Sequence, residues 1–327
     1  PPPRLLRRQR QMCIRDRRVL LIEAGPDYPD IAATPFDLVN SHNNSYTDHD
    51  WALDYEPVRG RKVGFPRGRV VGGSSAVNTS IALRSIPEDH EEWADAGNTA
   101  WAWDNVLPAY NRMERDLDFG HEPYHGDAGP ISVRRYPDDE LLPQHQAFLQ
   151  SARDLGYPDC PDANAPNSWG SGPQPMNKLG RLRVSCAVGY LAPARIRPNL
   201  TIQADTLVRR LICANGRCVG VEVEQSGSVR EIHAKLVVVS AGAILSPAIL
   251  MRAGIGPAGE LERHSIDAVA HAPGVGQNLC DHPALSVVCS VKDGVRIDFD
   301  EPIIQTILRY TAAGSDKRND LQIEQIS

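Results

Sequence analysis

The chain has 327 residues, 41% of them apolar and 23% charged, with a formal net charge of −6 and a sequence pI near 5.9. It is long enough for two domains, and its acidity argues against a nucleic-acid partner. No run approaches the roughly eighteen apolar residues of a membrane span, and seven cysteines without a CxxC favour reduced thiols over a disulfide frame or zinc site.

Residues 1–17 are rich in proline and arginine with no apolar core behind them, so signal-peptide and twin-arginine readings fail. They are expected to be a disordered basic tail or non-native sequence, and the expected compartment is the cytoplasm. Residues 18–24 then form an unalternating apolar run that ends at Glu23 and a Gly25-Pro26 break. That predicts a strand buried on both faces, as in a parallel sheet. Glu23 stands at the carboxyl end, where it either holds a ribose or is a plain surface group.

Residues 27–66 read as an irregular surface excursion. The stretch 68–78 follows, with Gly68, Gly72 and Gly73, then Ser74, Ser75 and Asn78. Glycines admit φ > 0 and let backbone N–H groups approach a ligand. By itself this is either a phosphate cradle or an ordinary Gly/Ser turn. Helices are predicted over 88–96 and 103–116, the latter with an aromatic and aliphatic stripe suited to core packing. A short strand is expected at 131–133, a helix at 141–155 closed by Gly156, a long loop over 158–175 and a short helix at 185–191.

From Leu200 the texture changes. Strands at 200–202, 207–213, 219–223 and 229–232, with turns at 214–217 and 226–227, predict an antiparallel meander. Residues 236–242 return to the buried parallel-strand pattern. A helix follows over 246–252, with Ser246 as N-cap and Pro247 at its first position. The formal G-x-G-x-x-G at 254–259 fails as a dinucleotide fingerprint, because no strand leads in and a helix precedes it. Its glycines read as a helix C-cap and turn.

Two stretches, 68–84 and 242–256, together resemble the two signature patterns of the glucose–methanol–choline (GMC) oxidoreductases. Residues 274–283 and 19–25 resemble two further blocks of that family, so the likeness covers about 18–327. It implies an α/β fold: a Rossmann-like FAD-binding domain with a parallel sheet and an antiparallel meander, plus an incomplete antiparallel-sheet substrate domain with helices. The cofactor domain is expected at 18–127 and 196–285, and the substrate domain at 128–195 and 286–327. The resemblance assigns Glu23 to the adenosine ribose and Val70, Gly72, Gly73 and Ser74 to the pyrophosphate and flavin. It runs Asn78, Thr79, Ser80 and Ile81 beneath the isoalloxazine, places Val208 against the adenine, and packs Ala241 and Gly242 on the cofactor.

Ala76 occupies the position of the flavin-linking histidine of some members, so the FAD is expected to be non-covalent. His282 falls in a block that is structural in the family. The resemblance assigns the catalytic His/Asn pair to a segment beyond Ser327, so no catalytic residue and no metal ligand is expected here. The implied reaction oxidises an alcohol by hydride transfer to flavin, with substrate, electron acceptor and oligomeric state unassigned. The chain itself, lacking the first phosphate loop and the base, is expected to be an inactive fragment. A flavin lyase of the hydroxynitrile lyase type and a non-catalytic remnant stay as alternatives.

Overall fold

A computed structural model describes residues 17–294, 298 and 300–326; the arginine-rich start therefore falls almost wholly outside the described residues. The chain is a mixed helix and sheet protein that divides into two compact units, one of Leu20–Asp27 with Thr201–Ile297, the other of Tyr28–Leu200 with Asp298–Ser327.

In the first of these, the strand begun at Val19 continues through Ile22, and the Glu23 N–H donates to Gln203 C=O at 3.0 Å. Its partner is Leu200–Gln203, which corrects the placement of that segment in the meander. Leu20 is 38% exposed, so the strand is not covered on both faces as its composition predicts. The meander proper has three antiparallel strands, Leu207–Ala214, Arg217–Gln225 and Ser228–His233. Its turns use Asn215 and Gly216, then Ser226 and Gly227, all at positive φ. Both central residues at φ > 0 make the type I′ geometry that matches strand twist.

Residues 236–241 are extended but pair with no strand among the described residues, against the parallel strand predicted there. Val237 and Val239 pack on the cluster of Leu211, Val221, Val223 and Ile249, while Leu236 and Val238 stand more than half exposed. An unbroken valine run thus covers one face only. The helix behind it runs from Gly242 to Arg252 with Ala241 as its N-cap, so it starts five residues before the expected Pro247, which lies inside it. Ser246 still serves the helix start, since its Oγ accepts the Ala241 N–H at 3.0 Å. Gly254, at φ +79, follows the C-cap Ala253; a Cβ there would meet Asp267 O at 2.3 Å, so the glycine is required.

In the second unit, the excursion 27–66 contains a hairpin, Asp54–Val58 with Arg61–Gly64, whose register shift spans Pro57. Proline is tolerated at such an irregularity because no ladder N–H is needed there. Helices run Pro87–Asp95 and Trp103–Met113. The second ends short of the predicted 116 because Glu114–Asp116 turns into a strand, parallel to Ile131–Val133. Its alternation buries Glu114 and Asp116 and exposes Arg115. Trp103 and Tyr110 gather around buried His90, which agrees with packing rather than ligand binding.

The predicted loop 158–175 holds a strand, Gly170–Pro173, antiparallel to Thr306–Tyr310, which pairs in turn with Leu321–Glu324. A Cβ on Gly172 would stand 1.8 Å from Cys160 O, so this strand lies flush against backbone and carries no apolar signature. The helix Pro143–Asp154 covers the sheet, with His145 Nδ1 2.9 Å from Thr306 Oγ1. The short helical turn Ala187–Leu191 has π geometry.

Candidate functional site

The stretch 68–81 lies wholly in the second unit and folds as a tight loop into a single 3-10 turn, Gly73–Ala76. Gly68 sits where a Cβ would meet Gly73 C and O at 2.5 Å, so the two ends of the loop touch backbone to backbone. Gly72 and Gly73 have φ of +104 and +55. Ser74 Oγ accepts the Gly68 N–H at 3.1 Å, and Ser75 Oγ donates to Gly72 O at 2.6 Å. These bonds close the loop on itself. They leave the amide N–H groups of Gly72 and Ser74 without an acceptor among the described residues. Two unsatisfied N–H groups on a left-handed backbone make a concavity for an anion. Val70, Ala76 and Val77 are buried with Leu38 behind it, so the loop stands on an apolar base.

Asn78, Thr79, Ser80 and Ile81 continue from the loop as an irregular segment that bends at Asn78 and turns at Ser80. Asn78 Oδ1 accepts the Ser80 N–H at 3.0 Å, and Ser80 holds φ +61 while fully buried. A non-glycine residue in that region is strained, and such strain is kept where surroundings over-determine it. Here the Ser80 C=O accepts from Asn177 N at 2.7 Å and its Oγ accepts from Arg183 Nε at 3.3 Å. Ile81 packs on the Tyr136 and Met176 cluster.

Arg183 is the residue that sequence reasoning missed. Its guanidinium is fully buried beneath the loop and donates to the carbonyls of Asp37 at 2.9 Å, Leu38 at 2.8 Å, Ala76 at 2.6 Å and also Asn43. Burial lowers its pKa to about 10 despite the opposing charge of Asp37. It anchors both ends of 76–80 to the excursion 37–43. Nothing local marks an arginine in a Leu-Arg-Val run for this role; only the packed chain brings four carbonyls to one point.

A buried charge cluster stands further along the same unit. Arg84 Nη2 pairs with Glu114, Arg135 Nη1 sits 2.9 and 2.8 Å from the two oxygens of Asp116, and its Nη2 is 2.5 Å from Asp162. His125 Nδ1 is 2.7 Å from Glu114 and 3.2 Å from Asp116, and its Nε2 is 2.9 Å from Asp162. Both ring nitrogens therefore face carboxylates, which selects the doubly protonated imidazolium. Burial opposes that charge, but the bonds from Asp162 and Glu114 and the charges of Asp162 and Asp116 raise its pKa to about 9. Glu114, Asp116 and His125 have the spacing to hold a metal ion. Two guanidiniums and an imidazolium balance the three buried carboxylates, and the half-exposed carboxylate of Asp118 stands 3.5 Å from Arg135, so the cluster reads as a structural pin.

The remaining predicted residues lie in the other unit. Glu23 Oε1 accepts the Gly25 N–H at 2.9 Å, and its C=O accepts the Thr206 N–H at 2.9 Å. Ile22 beside it and Val208 share one apolar cluster with Ile249 of the helix that Gly242 opens. Glu23 thus follows, and Gly242 opens, elements that pack on the same apolar cluster as Val208. Gly242 has φ +80 and nothing within 4 Å of a notional Cβ, and Ala241 is exposed. His282 is exposed, in an extended segment.

The family described as GMC oxidoreductase matches residues 39–284. The chain is 37% identical over 312 residues to an uncharacterized GMC-type oxidoreductase of Rhodococcus erythropolis, covering 91% of this chain and 62% of that protein. It is 34% identical to a 5-(hydroxymethyl)furfural oxidase of Methylovorus sp., over 86% of this chain and 56% of that one. An oxygen-dependent choline dehydrogenase of Brucella anthropi is 37% identical over 81% of this chain and 48% of its own. Among solved structures, pyridoxine 4-oxidase from Mesorbium loti superposes with a TM-score of 0.72 at 34% identity, covering 79% of this chain and 51% of that one. Formate oxidase, with a TM-score of 0.79 at 24% identity over 92% of this chain and 58% of its own, shares the fold. The chain spans roughly half to three-fifths of the length of these curated relatives.

Proposed function

This chain belongs to the GMC oxidoreductase family, and from that we propose that the protein it forms binds FAD non-covalently and oxidises an alcohol. The observation that carries the reading is the closed loop 68–76 with two free amide donors. A pyrophosphate is the expected anion: it needs backbone N–H groups that a ligand can approach closely, and the Gly72-Gly73 turn, with no Cβ at either residue, leaves the Gly72 and Ser74 N–H groups for it. Glu23 would accept the ribose hydroxyls, and Val208, Ala241 and Gly242 would meet the adenine and the rest of the cofactor. When bound, the flavin supplies the hydride acceptor. The chain's own part is to bind and orient: Asn78–Ile81 is held rigid by the Asn78 and Arg183 bonds to Ser80, so the surface it offers does not relax on binding. Ala76 carries no nucleophile and is 4% exposed, which leaves no covalent link at that position.

The names of the matching proteins point to an alcohol as substrate. No residue of this chain is assigned the family's proton-abstracting pair or the first phosphate loop, so it is expected to bind FAD weakly and to reduce no dye with alcohols. The test is a calorimetric titration with FAD to millimolar concentration, comparing Gly68→Ala with Gly64→Ala. A Cβ at Gly64 meets nothing within 4 Å, so that variant is the control. Weak binding that falls at least about tenfold in G68A and is unchanged in G64A supports the loop. Equal binding by G68A and wild type, or none at all at millimolar FAD, removes it. Reduction of dichlorophenolindophenol by the chain on adding an alcohol overturns the expected inactivity, and flavin left attached after acid precipitation overturns non-covalent binding.

A further inference from the structure

The meander holds two cysteines in register. Cys213 and Cys218 are direct partners across its first hairpin, one step outside the Ala214–Arg217 pair that flanks the Asn215-Gly216 turn. In a two-residue type I′ hairpin the flanking pair carries the turn's hydrogen bond, so the next pair outward is non-hydrogen-bonded. Such pairs have Cα atoms about 4.5 Å apart and point their side chains to the same face. That lies within the separation, about 4.4–6.8 Å, that a disulfide spans. Both thiols are free and half-buried, at the edge of the Leu211 and Val223 cluster. Cys218 also lines an open groove with Arg217, His233 and Lys235. Access from solvent through that groove lets an oxidant reach the Cys218 sulfur.

We propose that Cys213 and Cys218 form a redox-sensitive pair, with Cys218 oxidised first by peroxide and Cys213 resolving it into a cross-strand disulfide. In the first step the Cys218 sulfur, having given up its proton, attacks one oxygen of hydrogen peroxide, the O–O bond breaks, and sulfenic acid forms while the departing hydroxide takes up that proton as the first water. In the second, Cys213 sulfur attacks the Cys218 sulfur, the S–O bond breaks, and the oxygen leaves as a second water after taking up the Cys213 proton. The two thiols lose two electrons and peroxide becomes two waters. The ring so closed spans only residues 213–218, so it constrains the unfolded chain little. A short cross-strand bridge of this kind is the labile sort that thiols reduce again, and it is a mark of oxidant rather than a staple.

The pair has a direct readout, because trypsin cuts at Arg210, Arg217 and Arg230 and so separates Cys213 from Cys218. The folded chain is treated with hydrogen peroxide at a few equivalents, free thiols are alkylated, and the digest is mapped by mass spectrometry without reductant. The expected product links peptide 211–217 to peptide 218–230, with two hydrogens lost, and disappears on adding dithiothreitol. In Cys213→Ser, Cys218 is expected to be trapped as the dimedone adduct of its sulfenic acid. The proposal is overturned if both cysteines stay alkylatable, if they proceed separately to sulfinic or sulfonic acid without a linked product, or if Cys213 bridges Cys280 or Cys289 instead. Dimedone capture at Cys213 in Cys218→Ser, and none at Cys218 in Cys213→Ser, overturns the order of attack.

Discussion

Replacing His125 with Gln removes one positive charge from the centre of the buried cluster and leaves three carboxylates facing two guanidiniums. The His125 side chain has 0% exposure, so solvent does not screen the loss. Its pKa rises from an ordinary 6.5 to about 9 in the folded chain, against the cost of burial, through the bonds from Asp162 and Glu114. A group whose folded pKa exceeds its unfolded one contributes stability that is full below about pH 6.5 and lost as pH climbs through about 9. At about 1.4 kcal/mol per pH unit, that gap is worth about 3 kcal/mol. Breaking a buried pair by removing one partner costs about 3–5 kcal/mol, which agrees with it. The assay is urea unfolding by tryptophan fluorescence, and all five tryptophans lie in the unit that holds His125. The difference between wild type and H125Q is expected to be about 3–5 kcal/mol at pH 6 and to shrink by about 3 kcal/mol by pH 10. Comparing the two proteins at each pH cancels every other titration. A difference that stays constant from pH 6 to 10 refutes an imidazolium in this cluster.

Arg183→Met removes the donor from four carbonyls, those of Leu38 and Ala76 in buried bonds and those of Asp37 and Asn43 in part-buried ones; at about 1–3 kcal/mol for each buried carbonyl left unsatisfied, a loss of about 2–6 kcal/mol is expected in thermal or urea unfolding. R183K is expected to recover part of it, and a melting point for R183M equal to that of wild type would contradict the anchoring role. Gly68→Ala is expected to lower the melting temperature by several degrees while G64A leaves it unchanged, because only the first Cβ meets backbone. His145 responds in the opposite sense to His125. Burial lowers its pKa to about 4, so the unfolded chain takes up a proton between pH 6.5 and 4 that the folded chain refuses. Stability is lost over that window, by up to about 3 kcal/mol, and His145→Gln is expected to remove that acid-side slope; an unchanged slope would show His145 already charged in the fold.

Several elements were legible from local chemistry alone. The strand Ile131–Val133, the Asn215-Gly216 hairpin turn and the glycine after Arg252 each follow from residues that permit few backbone states. The signature stretches at 68–84 and 242–256 likewise carried the family, since glycine spacing in so tight a loop is fixed by close backbone approach rather than by distant packing. What the tertiary structure decided was pairing and charge. Residues 170–173 are a strand only because Thr306–Tyr310 lies alongside, and residues 236–241 are not one because nothing among the described residues does. Apolar composition reports how much surface is to be buried, and it is silent on which neighbour buries it. Arg84, Glu114, Asp116, His125, Arg135 and Asp162 look in sequence like solvated surface charges. They are a buried cluster because opposite charges from six scattered positions meet where water is excluded, and Arg183 holds the segment 76–80 because backbone carbonyls meet its guanidinium there. Such partners are separated by as many as 146 residues along the chain, so only folding brings the groups that satisfy one another together.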